Sequence, residues 1–263
     1  MTLIATAISR HGIVLAADPN LTSRTEQSGN GPRVFRLEFL EAAMSVTGGY
    51  EVGGVPMDRW MAAAIGEYQQ TATHPSLKAF VDHLRRRLTL LRDPVRRRAI
   101  HVAGYVGEGS QAHAEVYYLR NIHGRAHDGS YGPAKRAFIA NEEFWNRDYP
   151  REETQDTLRE GGARMYLDGL PEKRIAYMLL HQWTHDFYRQ LWTGSTMFHR
   201  PGSLQDIASL VELDLRIAGT FLGARDHGSH RSGDRLEVEM IPAPPAFASR
   251  PTGKAGSRAR RHA

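Results

Sequence analysis

Residues 2–18 read TLIATAISRHGIVLAAD, and the fold is decided by how this stretch is read. Residues 2–9 form one apolar strand-like run. Arg10-His11-Gly12 is a tight connection, and residues 13–17 (IVLAA) form a second short run with no polar interruption. A continuous run of that length suits a strand covered on both faces, because a strand with one wet face would alternate. Asp18-Pro19-Asn20 ends it, since the residue before a proline favours extended backbone.

Working outward, residues 33–38 (RVFRLE) and 42–47 (AAMSVT) read as two more strands around a turn, and glycines at 48, 49, 53 and 54 punctuate the next segment. The period then changes. Met57, Trp60, Met61, Ala64, Ile65 and Tyr68 fall at helical spacing, as do Leu77, Phe80, Val81, Leu84, Leu88 and Leu91. His74-Pro75 separates these two amphipathic helices, with Ser76 or Thr73 as N-cap. Strand character returns over 99–107 and 112–122. Residues 124–150 are irregular, with a strand near Arg136–Ala140. A long helix is expected over 171–192, with Ile175, Leu179, Trp183 and Phe187 on one stripe. A further helix spans 203–222 with Ser203 as N-cap, and residues 235–241 (RLEVEMI) make a last alternating strand. The order lacks β-α-β alternation, which argues against a doubly wound parallel sheet. Two sheets face to face, with helix pairs outside, account for strands apolar on both faces.

Composition sets the bounds. The chain has 263 residues, 41% hydrophobic and 24% charged, enough for a full core. No apolar run reaches the roughly 18 residues that span a bilayer, so no membrane partner is expected. Cysteine is absent, which excludes a disulfide framework, a thiolate metal site and a cysteine nucleophile. The formal charge is +5, and Arg250, Lys254, Arg258, Arg260 and Arg261 supply all of it with no acid in 243–263. The expected organisation is therefore one domain over 1–242, formally neutral, and a disordered basic tail over 243–263. The start lacks the basic region and uninterrupted apolar run of a secretory leader, so the expected address is cytoplasmic.

Thr2 carries the first chemical signal. Threonine is small, so removal of Met1 is expected, leaving Thr2 with a free α-amine. A hydroxyl is a weak nucleophile and needs a base beside it. An α-amine, with an ordinary pKa of roughly 7.7–8.0, is far closer to neutrality than lysine. One residue can thus carry both nucleophile and base.

Thr2 through Gly12-Ile13-Val14-Leu15-Ala16-Ala17-Asp18 resembles the start of proteasome β-type subunits and their bacterial relatives, the N-terminal-nucleophile (Ntn) hydrolases. That family carries an acid sixteen residues after its catalytic threonine, which is where Asp18 stands. Arg33 precedes Val34-Phe35-Arg36-Leu37 where the family has lysine, and Val46-Thr47-Gly48-Gly49 resembles its strand-ending glycine element. The resemblance covers about residues 2–92, with the family's two helices falling on 54–70 and 76–91. It implies an α+β fold, a four-layer αββα sandwich. It implies Thr2 as nucleophile, Asp18 as the orienting carboxylate, Arg33 as the buried positive charge, and the Gly48 N–H, with that of Gly49 as the second choice, as oxyanion donor. Gly49 becomes a substrate-binding position. Thr193, in Gln190-Leu191-Trp192-Thr193-Gly194, stands in for a supporting serine, with Gln190 where the family has an acid. The expected function is hydrolysis of a peptide or small amide, without cofactor or metal, by a homo-oligomer. The alternative is a catalytically silent proteasome-like subunit acting in assembly. Arg33 keeps the family's charge, but a guanidinium cannot exchange a proton.

Two other clusters have plainer readings. His181 and His185 share a helix face at metal-ligand spacing, yet Gln182 stands where a metalloprotease needs Glu; a polar-aromatic packing surface or a subunit contact is the expectation. Seven arginines lie within 85–98, Arg85-Arg86-Arg87 and Arg96-Arg97-Arg98 among them. A nucleic-acid patch lacks interleaved stacking aromatics, so solvated helix ends are expected instead.

Overall fold

Hairpin pairing dominates the architecture because the apolar runs are short and close together in sequence. The computed structural model describes residues 3–18, 31–91, 96–122, 134–142, 163–168, 190, 201–223 and 236–245. Strand β1 (Leu3–Ser9) pairs antiparallel with β2 (Gly12–Asp18), Leu3 opposite Asp18 and Ser9 opposite Gly12, and both strands are buried along their whole length. Strands β3 (Val34–Leu37) and β4 (Ala42–Gly48) come after them, then the two-residue strands β5 (Glu51–Val52) and β6 (Val55–Pro56). Helices α1 (Met57–Thr71) and α2 (Leu77–Thr89) come next, then β7 (Arg98–Val106), β8 (His113–Ile122) and β9 (Ala134–Glu142). The remaining elements are β10 (Ala163–Asp168), α3 (Leu204–Gly223) and β11 (Glu237–Pro242).

One sheet has the order β10-β1-β2-β11 and the other β3-β4-β7-β8-β9; every pairing is antiparallel. Strand alternation sends successive residues to opposite faces, and three apolar clusters result. Met44, Val46, Ile100, Val102 and Leu119 pack with Trp60, Met61, Phe80 and Leu84 of α1 and α2. Leu3, Ala5, Ala7, Val14 and Ala16 pack with Ile207, Val211 and Leu215 of α3. The opposite parity, Ile8, Ile13 and Leu15, joins Ala43, Ala103 and Val116 from the other sheet. At about 25 cal/mol per Å², a fully buried Leu, Ile or Phe contributes about 1.5–3 kcal/mol, so each cluster is a substantial stabilising unit.

The helix ends obey local chemistry. Ser76 caps α2, its hydroxyl accepting the Ala79 N–H at 3.2 Å, while Arg86 and Arg87 occupy the last turn. Asp206 N donates to the Ser203 hydroxyl at 3.1 Å, and Asp206 Oδ2 accepts from Gly202 N and Ser203 N, which closes a reciprocal cap on α3.

Several boundaries differ from the sequence reading. Helix α1 starts at Met57, because Gly53-Gly54 turns the β5–β6 hairpin first, and α2 stops at Thr89. Strand β9 is longer than Arg136–Ala140. Strand β10 carries no sequence signal of its own, and its identity comes from pairing, Ile4 opposite Asp168 through Ser9 opposite Ala163. The helix expected over 171–192 lies outside the described residues apart from Gln190, which is helical. Among the described residues no helix is long and apolar enough to cross a membrane.

Candidate active site

Asp18 closes β2 and is fully buried; the register sets it opposite Leu3, the residue after Thr2. Thr2 itself lies outside the described residues, as do Thr193, His181 and His185. Strand β1 runs between β2 and β10, which joins it from Ile4 onward, so it is not a sheet edge.

Arg33 sits immediately before β3 and is 1% exposed. Its Nη1 donates to the Gly48 carbonyl at 2.9 Å, and its guanidinium stands 4.9 Å from the centroid of the Tyr50 ring. Two of the expected site residues, Arg33 and Gly48, are therefore in direct contact. A buried cation is tolerable only with close acceptors and polarisable neighbours, and a carbonyl plus an aromatic face supply both. Tyr50 is itself buried, and that burial, with the nearby Asp58 carboxylate, pushes its hydroxyl up to about 12. It stays neutral beside Arg33 across the ordinary pH range. Gly31 makes this packing possible, because a Cβ there would fall 1.3 Å from the Tyr50 hydroxyl oxygen.

Gly48 ends β4 with φ +107, and a Cβ would lie 2.3 Å from the Arg97 carbonyl oxygen, so no other residue fits. Gly49 is the next residue along the chain.

Glu237, at the start of β11, is a site neighbour that the sequence reading missed. Its Oε2 accepts the backbone N–H of Arg33 and, at 3.0 Å, that of Val34. Two residues on, Glu239 pairs with Arg36 at 3.2 Å. These contacts join the β11 edge of one sheet to the β3 edge of the other, and they fix the backbone from which Arg33 projects. The signal available in sequence was the pair of acids at alternate positions in RLEVEMI, on a strand otherwise ready for burial.

A second buried polar pair links the sheets further along β1. Thr6 Oγ1 lies 3.0 Å from His101 Nδ1, and His101 meets Tyr118 edge-on at 5.1 Å. Burial pulls the His101 imidazole down to about 3, so it is neutral.

Three arginines of the run are engaged within the molecule. Arg85 pairs with Asp82 at 3.3 Å, Arg87 pairs with Glu67 and lies over Trp60, and buried Arg98 donates to the Glu51 carbonyl. Arg98 departs from the expected solvated helix ends, because it is buried in β7.

No protein-family model and no curated protein matches the chain. Among solved structures it is similar to Anbu (ancestral beta-subunit) from Yersinia bercovieri, with 9% identity over 92% of this chain and 82% of that one, at a TM-score of 0.50. At that identity the likeness is one of fold: the chain has a proteasome-like fold, which is the part of the resemblance in residues 2–92 that the comparison supports.

Proposed function

We propose that this chain is an amide-bond hydrolase, a peptidase or amidase, that uses Thr2 as an N-terminal nucleophile after loss of Met1. The domain is taken as residues 1–242, a four-layer αββα sandwich, with 243–263 as a basic extension. Supporting the layers, one apolar cluster joins α1 and α2 to the second sheet, one joins α3 to the first, and a third contains residues of both sheets.

In this reading Thr2 Oγ attacks the substrate carbonyl and the Thr2 α-amine takes the proton. A nearby positive charge favours the neutral amine, so Arg33 keeps the base ready near neutral pH. Asp18, opposite Leu3, orients the N-terminal residue and a cationic partner. The oxyanion that forms needs a preorganised N–H. Val46 N donates to the Arg33 carbonyl at 2.9 Å, so even-numbered N–H groups of β4 point to the β3 side. Arg98, opposite Gly48, gives its own N–H to Asn121 Oδ1 at 2.9 Å on β8. Both contacts support a Gly48 N–H directed past the last rung of the β3–β4 ladder. The tetrahedral intermediate collapses by breaking its C–N bond, and the leaving amine takes the proton held by the Thr2 α-amine. Water then hydrolyses the acyl ester, the α-amine accepting the proton of the water and returning one to Thr2 Oγ, with no cofactor.

The single observation carrying this reading is the buried Arg33–Gly48 contact at the end of β4; Glu237, which accepts the Arg33 N–H, lies opposite Ala17, the neighbour of Asp18 on β2. The test is intact mass with a threonine-directed electrophile. Loss of Met1 and one adduct on Thr2 are expected, and Thr2→Ala should abolish turnover while leaving oligomer size unchanged. Retained Met1 without an adduct, or undiminished turnover in Thr2→Ala, overturns it.

A silent assembly subunit is the second reading. Arg33 favours it, because its guanidinium cannot exchange a proton and is held on the carbonyl of the same residue proposed to donate to the oxyanion. That reading expects a homo-oligomer with no adduct.

A further inference from the structure

The two glycines that end β4 are glycine for different reasons. Gly48 is demanded by its backbone angle and by the Arg97 carbonyl. Gly49 meets no such demand: its φ lies outside the left-handed region, and an added Cβ would meet only the Arg96 side chain, Cδ at 3.4 Å and Nη1 at 3.6 Å. Those are ordinary contact distances. The missing side chain leaves bare backbone beside the proposed oxyanion donor, with a guanidinium standing over it.

Arg96 is exposed, and among the described residues no carboxylate pairs with it. Its own backbone is anchored, the Arg96 carbonyl accepting Asn121 Nδ2 at 2.7 Å. A fixed root and a fork with no carboxylate partner among the described residues suit recognition of a carboxylate, which a guanidinium can bind with two parallel hydrogen bonds.

We infer that Arg96 is a specificity-determining residue that receives a substrate carboxylate where the peptide crosses Gly49. This rests on the hydrolase reading. With the scissile carbonyl at Gly48 N–H, one residue spans about 3.8 Å, so the carboxylate belongs to the residue bearing that carbonyl or to its immediate neighbour. It comes either from an Asp or Glu side chain or from a free peptide C-terminus.

Fluorescence anisotropy on the full-length protein separates these sources. The probes are labelled hexapeptides: one with a central Asp and an amidated end, one neutral with a free carboxylate, one neutral and amidated, and one with a central Lys and an amidated end. Binding is measured on the Thr2→Ala protein, so that no chemistry is needed. The acidic or free-acid peptide should bind roughly tenfold tighter than the neutral amide, an advantage that shrinks as salt rises. Arg96→Ala should erase that advantage, and Arg96→Glu should turn the preference toward the Lys peptide, both with an unchanged melting temperature. Equal binding of all four probes, or a preference surviving Arg96→Ala, overturns the inference. Acid preference without a Thr2 adduct sinks the hydrolase reading and leaves Arg96 as a carboxylate-binding residue. An adduct without acid preference does the reverse.

Discussion

At Gly48 and Gly49, neighbouring residues of one type answer to different constraints, and paired substitutions separate them. Gly48→Ala must place a side chain at φ +107 and against the Arg97 carbonyl, so it should lower stability by about 1–3 kcal/mol or more. Gly49→Ala should stay within about 1 kcal/mol of the parent. Urea unfolding of the two variants checks the contrast, and equal losses would contradict it. His101 gives the second residue-scale prediction. Its folded pKa is about 3 against 6.5 in the open chain, so between those values the unfolded chain holds the extra proton. The stability it contributes is complete above about 6.5 and falls as the pH drops toward 3, by up to about 1.4 kcal/mol per pH unit. His83 is lowered by burial too, so His101→Gln is needed to assign the effect. Its stability curve should be flatter than the parent's over that window in a urea series at stepped pH.

Elements meet at the edges of the sheets, where β11 reaches β3 through Glu237 and Glu239. Glu237→Ala strands two backbone N–H groups and should cost about 1–3 kcal/mol, while Glu237→Gln keeps an acceptor and loses less. If Arg33 supports turnover as proposed, activity should rank in the same order, Gln above Ala, in assays at matched folded fraction. Helix α3 depends on its cap: Ser203→Ala removes the acceptor for Asp206 N and should cost about 1 kcal/mol by chemical denaturation. The hydrogen bonds from Gly202 and Ser203 hold the Asp206 carboxyl below its ordinary value, so the cap weakens as acid protonates it. Ser203 was legible as a cap, and Ser76 as one of two choices with Thr73, because capping is local chemistry; the structure selects Ser76. The partnership of Glu237 with Arg33 was not, because 204 residues separate them.

On the scale of the molecule, the C-terminal strand sets where the chain can be shortened. Ile241 is buried and pairs with Ile13, and the Ala243 N–H donates to the His11 carbonyl at 3.1 Å. A chain ending at residue 245 should melt with the parent although it lacks the five terminal positive charges. One ending at residue 239 should melt several degrees lower. Calorimetry of the two truncations decides, and a large loss in the longer one would extend the folded unit past the expected domain end at 242. Native mass spectrometry of the same proteins tests the proposed homo-oligomer, which for the full chain predicts a multiple of 29.5 kDa.

The amino-acid sequence by itself determined the first hairpin, the amphipathic pair α1 and α2, the Ser203 cap and the spacing of Asp18, Arg33 and Gly48. Each of these is written in periodicity, in turn chemistry or in short-range order. Tertiary structure alone decided that β1 is an interior strand, because β10 joins it through backbone hydrogen bonds that any side chains can accompany. It alone decided that Arg33 lies on Gly48 and Tyr50, that Glu237 holds its backbone, and that Arg96 stands over Gly49. Contacts between residues far apart in the chain arise from how sheets and loops pack, and no local pattern of residues records them.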